Sequence, residues 1–195
     1  TAANLSGAPE IGLMGSAVAQ LARHCGLPSV MSSGSDAHNP GAQSTMERLM
    51  TLMPPVLAGV DLVNLSTLET KMSFSLEHLV IDDLIVDLVQ RYLRGIGVDE
   101  EALAIDVIHR VGPGGTFVSA DHTFEHYRDE LFTSELIEHH PRDTWRAAGS
   151  QDLVARARRH VKELLEQYEP PPLPPDVVAE LDAIVEDIEK RDGST

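Results

Sequence analysis

Three stretches of this chain carry residues whose type and spacing could do chemistry. His122, Glu125 and His126 satisfy the pattern H-x-x-E-H. On a helix the two histidines would share a face and could ligate zinc, with Glu125 as general base. The plainer reading places His122 near a helix start and leaves Glu125 and His126 in solvent, since no second acidic-ligand helix follows downstream. The loop Gly34-Ser35-Asp36-Ala37-His38-Asn39-Pro40 holds an Asp-x-His pair. Asp36 could hold a cation or orient His38, and either could move protons. Ser35, Asp36 and Asn39 are equally suited to satisfying the backbone of a turn. Glu69 sits in the polar stretch STLETKMSFS and would suit a cationic ligand, unless Lys71 simply pairs with it. Phe74 and Phe117 offer faces to a quaternary ammonium, but with only 4% aromatic residues much of a cage would come from elsewhere.

Other polar clusters have blander readings. Gly112-Pro113-Gly114-Gly115 lacks both the G-x-G-x-x-G spacing and a Walker lysine, so a tight turn is expected. His139-His140 reads as a surface turn. Asp99-Glu100-Glu101 and Glu186-Asp187 read as solvated helix faces or first-turn charges. Cys25, beside Gly26 at a helix end, reads as a buried filler.

The elements that must position these residues follow from periodicity. Ile11, Met14, Ala17, Val18, Leu21 and Ala22 fall on one helical face between Pro9 and Cys25. Residues 28–33 read as a short buried strand, 42–58 as a helix ending or kinking at Pro54-Pro55, and 61–65 as the next strand. A helix over 76–94 is apolar along Leu79, Val80, Leu84, Val86, Leu88 and Val89. Strand and helix alternating with short connections predict a parallel sheet of βαβ units. From Val98 onward only helices are expected, over 98–111, 121–132, 143–149, 151–168 and 176–190, with EPPPLPP at 169–175 as a stiff spacer. Two clear strands, with a third ending at ANLS, cannot close a sheet. A (β/α)8 barrel takes roughly 250 residues. The expected fold class is therefore α/β, the C-terminal portion of a (β/α)8 TIM barrel with a helical C-terminal extension. Residues 1–97 would be the last βα units, 98–168 a helical extension packed on the barrel, and 169–195 the Pro-rich spacer with a docking helix.

The length of 195 residues and net charge of −16 bound the function further. That balance argues against a nucleic-acid binder, because no basic stripe forms. The apolar runs fall short of the ~18 residues of a membrane span. No secretory signal opens the chain, and one cysteine builds no internal disulfide, so a cytoplasmic location is expected. The first residue, Thr1, is not Met, which leads to the expectation that translation begins elsewhere.

Taken together, the segments GAPEIGLMGSAVAQLARHCGLPS, GSDAHNPGAQ, LETKMSFSLEHLVIDD, GPGGTFVSADHTFEHYRDELF and the helix-PLP-helix tail resemble the C-terminal part of the trimethylamine methyltransferase family. The resemblance covers nearly the whole chain. It implies a TIM barrel that moves a methyl group from a methylated amine to the cob(I)alamin of a corrinoid protein. That cobalamin would belong to the partner, and no tightly bound cofactor or metal of the chain's own is expected. In founding members a pyrrolysine lies in the loop matching GSDAHNPGAQ, near Asn39; this chain has none, and His38 stands where many relatives carry Lys. Members without pyrrolysine include enzymes acting on quaternary amines such as glycine betaine. The resemblance thus implies catalytic roles for Asp36, His38 and Asn39 and substrate contacts from Glu69, Phe74, Phe117 and His122, with His122 packing its segment over the barrel top. Taken alone, the chain is expected to be inactive and to self-associate or to pair with an N-terminal half-barrel. The alternatives are a non-catalytic module that docks a corrinoid protein or a partner half-barrel, and a zinc hydrolase using His122, Glu125 and His126.

Overall fold

Proline at its first turn and Arg23 and His24 in its last favour a helix over α1 (Pro9–His24), which is what the computed structural model shows; residues 5–65 and 67–193 are described. The face it buries is not the apolar stripe expected from periodicity. Gly12, Gly15 and Ala19 are buried, while Leu13, Met14, Val18 and Leu21 are exposed. The reason lies in α2 (Ala42–Leu57), which continues through Pro54 and Pro55 instead of ending there. Pro54 has no N–H to donate to the Met50 carbonyl. A Cβ on Gly12 would come within 2.4 Å of that oxygen, so only glycine permits the approach of the two helices there. Cys25, expected as buried filler, is exposed at the helix end.

β1 (Val30–Ser32) and β2 (Leu62–Asn64) flank α2 and pair in parallel, in register Val30↔Leu62, Met31↔Val63 and Ser32↔Asn64. At their N-terminal end the Asp61 carboxylate accepts from Ser29 N–H and Oγ at 2.7 and 2.9 Å. The polar stretch that follows is not a plain loop. It holds β3 (Thr67–Leu68), a turn at Glu69–Lys71 and β4 (Ser73–Phe74), antiparallel to β3. The strand expected to end at ANLS lies largely outside the described residues; Ser6 itself is in a turn. The fold has α/β character with helices predominating, and the described strands make a parallel pair and a short antiparallel pair rather than a closed barrel.

α3 (Leu76–Arg94) starts where Ser75 Oγ accepts from His78 N–H at 3.2 Å and stops before Gly95, whose φ of 68° suits glycine. Its Ile81, Ile85 and Val89 join Leu52 of α2 to form the core, with Val63 and Leu65 packed against them. The helix expected over 98–111 is broken by a left-handed residue, Ala104 at φ 49°, into α4 (Glu100–Leu103) and α5 (Ile105–Val111). Asp99 caps α4 by accepting from Ala102 N–H, and Glu100 and Glu101 sit in its first turn. Residues 112–115 turn as expected, with Gly112 and Gly114 both at positive φ. α6 (Asp121–Glu130) and α7 (Arg142–Ala147) follow. α8 (Leu153–Gln167) adds Ala157 to the core.

The chain divides into two compact units, Thr1–Lys162 and Glu163–Thr195. The second carries the end of α8 and α9 (Pro175–Asp192), which begins on a first-turn proline. No helix among the described residues is long and apolar enough to cross a membrane.

Candidate functional site

Two loops leave the C-terminal ends of β1 and β2, the side of a parallel sheet where ligands bind. Backbone bonds continue the strand pairing outward and zip these loops together. Ser33 N–H donates to Asn64 O at 3.0 Å, Thr70 N–H to Ser35 O at 3.0 Å, and Glu69 N–H to Ala37 O at 3.2 Å. At the tip of this zipper His38 Nδ1 lies 2.6 Å from Glu69 Oε1. The bond from His38, with help from Ser73, holds the Glu69 carboxyl below its ordinary range. An ionised Glu69 can only accept, so Nδ1 is the protonated ring nitrogen and Nε2 is left for other work. The His38 side chain is 80% exposed and that of Glu69 37%.

The turn presenting Glu69 is strained. Glu69, Thr70 and Lys71 have φ of 49°, 55° and 76° in succession. Each non-glycine residue in this region costs of order 1–3 kcal/mol and persists where neighbours over-determine it. The neighbours here are the zipper bonds and Thr70 Oγ1, which donates to Asp36 Oδ1 at 2.9 Å. Glu69 pairs with His38 and not with Lys71.

Asp36 is occupied by the chain's own donors. Besides Thr70 it accepts from Ser6 N–H and Oγ, both at 2.9 Å, and from Gly7 N–H at 3.0 Å. Partial burial pushes this carboxyl up, but the bonds from Gly7, Ser6 and Thr70 together outweigh that and hold it below the usual value. Asp36 thus ties the segment before α1 to both loops.

Sequence reasoning missed two residues beneath the loops. Glu47 of α2 accepts from Ser35 Oγ and from Asp36 N–H, each at 2.8 Å, and from Gln43. Burial raises its carboxyl, and the bonds from Gln43, Ser35 and the Asp36 N–H bring it below the ordinary value. Arg48, fully buried, donates to Ser33 O and, at 2.7 Å, to Thr67 O, with its Nε 2.9 Å from Asp82 Oδ1. His78, buried on α3, has its Nδ1 3.6 Å from the same carboxylate oxygen. Burial drives the His78 pKa down and the Arg48 charge adds to this, against the opposing pull of Asp82. The only sequence signal for either residue was its helical position, since α2 was expected to be a plain crossover helix.

The remaining expected residues are placed less tightly. Asn39 is exposed beside His38. Phe74 lies on β4 opposite Thr67, 57% exposed, and Phe117 is 44% exposed. His122 belongs to a different constellation, with Nε2 2.8 Å from Glu101 O and its ring 4.2 Å from that of His126 between centroids, tilted by 41°. His126 Nε2 lies 3.4 Å from the Glu101 carboxylate, while Glu125 is exposed. Both histidines thus fasten α6 to α4, and among the described residues no group of three or more His, Cys, Asp or Glu could hold a metal ion.

The profile of the family described as trimethylamine methyltransferase (MTTB) matches residues 1–194. The chain belongs to that family. It is 36% identical over 189 residues to trimethylamine methyltransferase MttB of Desulfitobacterium hafniense, covering 96% of this chain and 38% of that protein. It is 39% identical over 186 residues to MttB of Methanosarcina barkeri, covering 94% of this chain and 37% of the relative. It is also 37% identical over 184 residues to a glycine betaine methyltransferase of D. hafniense, covering 92% of this chain and 38% of the relative. The chain therefore spans under two-fifths of the length of these relatives.

Proposed function

We propose that this chain supplies the last βα units of a methyltransferase barrel that moves a methyl group from a methylated, quaternary amine such as glycine betaine to the cob(I)alamin of a corrinoid protein. The observation that carries this reading is the His38–Glu69 contact, formed by two loops beyond the C-terminal ends of parallel strands. In this reading residues 1–97 are barrel units, 98–168 the helical extension and 169–195 the spacer and docking helix.

The negative charge of Glu69 favours a cationic nitrogen at the loop tips, with Phe74 on the neighbouring strand offering an apolar edge. Asp36 holds the loops and adds to the same negative potential. The methyl acceptor is the cobalt of the partner's corrinoid, a substrate here, and the chain's contribution is alignment behind the N–CH3 carbon. When that carbon leaves, the C–N electron pair stays on nitrogen. From a quaternary amine the leaving group is neutral and takes up no proton. From trimethylamine the nitrogen must carry a proton as the methyl leaves; the ammonium form brings that proton itself, and the unprotonated Nε2 of His38 can accept a hydrogen bond from its N–H. Asn39, the next residue on the same exposed loop, is the further catalytic candidate. Phe117 and His122 would act from the segment that covers the mouth, with His122 as its anchor.

The test is methyl transfer to a corrinoid protein by the chain combined with the N-terminal segment of a family relative, with glycine betaine and trimethylamine compared. Transfer from a quaternary amine by the combination, and none by the chain alone, supports the reading. Equal activity of the chain alone would contradict it. The exposed apolar residues of α1 favour a second reading, a non-catalytic module whose α1 face pairs with a half-barrel or a second copy. It predicts complex formation with no methyl transfer.

A further inference from the structure

The two loops that meet at His38 and Glu69 share one buried support. The Arg48 guanidinium sits under both, bonded to the Ser33 carbonyl just past β1 and to the Thr67 carbonyl just past β2. Its third nitrogen, Nε, faces Asp82 on α3 at 2.9 Å, and both side chains are buried. Helices α2 and α3 are thereby linked to both loop bases through one planar group. A guanidinium suits this because its donors diverge at fixed angles in one plane, whereas an ammonium is a point charge on a flexible stem. The loop resting on Thr67 is also the one that enters the strained turn at Glu69–Lys71. A left-handed run of three ordinary residues holds its shape only while its ends are fixed.

We propose that Arg48, oriented by Asp82, is a positioning residue that sets the separation of the two loop bases and so brings Glu69 onto His38 Nδ1. Its importance for turnover rests on the function proposed above; its effect on the His38–Glu69 contact does not. Arg48 touches neither side chain of the pair. It acts through backbone carbonyls three residues from Asp36 and two from Glu69.

The variant Arg48→Lys keeps a cation for Asp82 but cannot reach both carbonyls and the carboxylate at once. Nitrogen-15 spectra of histidine-labelled whole chain report the Nδ1 bond of His38 directly, and circular dichroism reports the fold. The expected result is a native-like helix content in Arg48→Lys together with loss of the hydrogen-bonded His38 Nδ1 signal. Should that variant fail to fold, Asp82→Asn keeps the guanidinium and removes the charge that orients it, and the same loss of the His38 signal is expected. A folded variant with the His38 signal unchanged overturns the proposal. In methyl transfer by the complemented protein, Arg48→Lys should lower kcat by about tenfold or more with KM changed far less, since misplacement weakens alignment more than binding. If the His38 signal is lost and kcat stays the same, positioning stands and the catalytic reading of the pair falls.

Discussion

At the tip of the paired loops the carboxylate of Glu69 fixes which nitrogen of His38 carries the proton, and the spacing of donors behind it fixes where both can sit. Gly7 shows how little room there is. A Cβ there would fall 2.6 Å from both Cδ and Oε2 of Glu47, the carboxylate that holds Ser35 and the Asp36 N–H. Gly7→Ala is therefore expected to displace Glu47 and loosen the loop, lowering stability by about 1–3 kcal/mol in chemical denaturation. His78 gives a pH signature. Its folded pKa is depressed below 6.5, so between that pKa and 6.5 the unfolded chain binds a proton the native one refuses. Stability should be full above pH 6.5 and fall as the pH drops below it, by up to about 1.4 kcal/mol per pH unit. His78→Gln should abolish this limb of the profile. His38 and Glu69 were legible as candidates because loops after parallel strands meet at one end of a sheet. Glu47 and Arg48 were not, because their partners are fixed by how the crossover helix lies against the strands, which residue spacing does not encode.

Among the elements, the parallel strands β1 and β2 and the long helices followed from periodicity to within a few residues, whereas β3 and β4 did not. The register of α1 against its neighbour did not. Hydrophobic periodicity marks the Met14, Val18 and Leu21 face, whereas contact with α2 selects small residues, since the Met50 carbonyl comes close where Pro54 withdraws its donor. Gly12→Ala should cost about 1–3 kcal/mol because the obstacle is backbone and cannot rotate away. The turn at Glu69–Lys71 was equally hidden, since none of its residues is a glycine or asparagine that would flag positive φ. Lys71 sits at φ 76°. Lys71→Gly should relieve strain and raise stability by up to about 1 kcal/mol, read as a higher midpoint in urea. Ala104 broke an expected helix in the same way, with a left-handed alanine that sequence propensity would place inside a helix.

For the molecule as a whole, family membership and segment order were legible, while a closed barrel is not formed by the described residues. Leu13, Met14, Val18 and Leu21 on α1, together with Val30 and Leu62 on the strands, are each half exposed or more. Such a surface favours association. Sedimentation of the isolated chain should show concentration-dependent self-association, and Val18→Glu with Leu21→Lys should return it to a monomer. Acid should weaken the fold a second time at lower pH. Asp36 and Glu47 are held below their ordinary values of 3.8 and 4.5, so their contribution is present above those values and lost as pH falls through the depressed ones. The unfolding profile should therefore show two acid limbs, the upper from His78 and the lower from these carboxylates.

The most direct measurement is the rate of methyl transfer from glycine betaine to a corrinoid protein, with the complemented chain carrying Glu69 or Glu69→Gln. The glutamine keeps the shape and removes the charge that fixes His38 and that, in the proposed function, attracts the cation. A fall of about 10²-fold or more in kcat/KM with an unchanged melting profile is expected. Equal rates for the two proteins would contradict it, and would leave the His38–Glu69 pair as a fastening between loops with no part in the reaction.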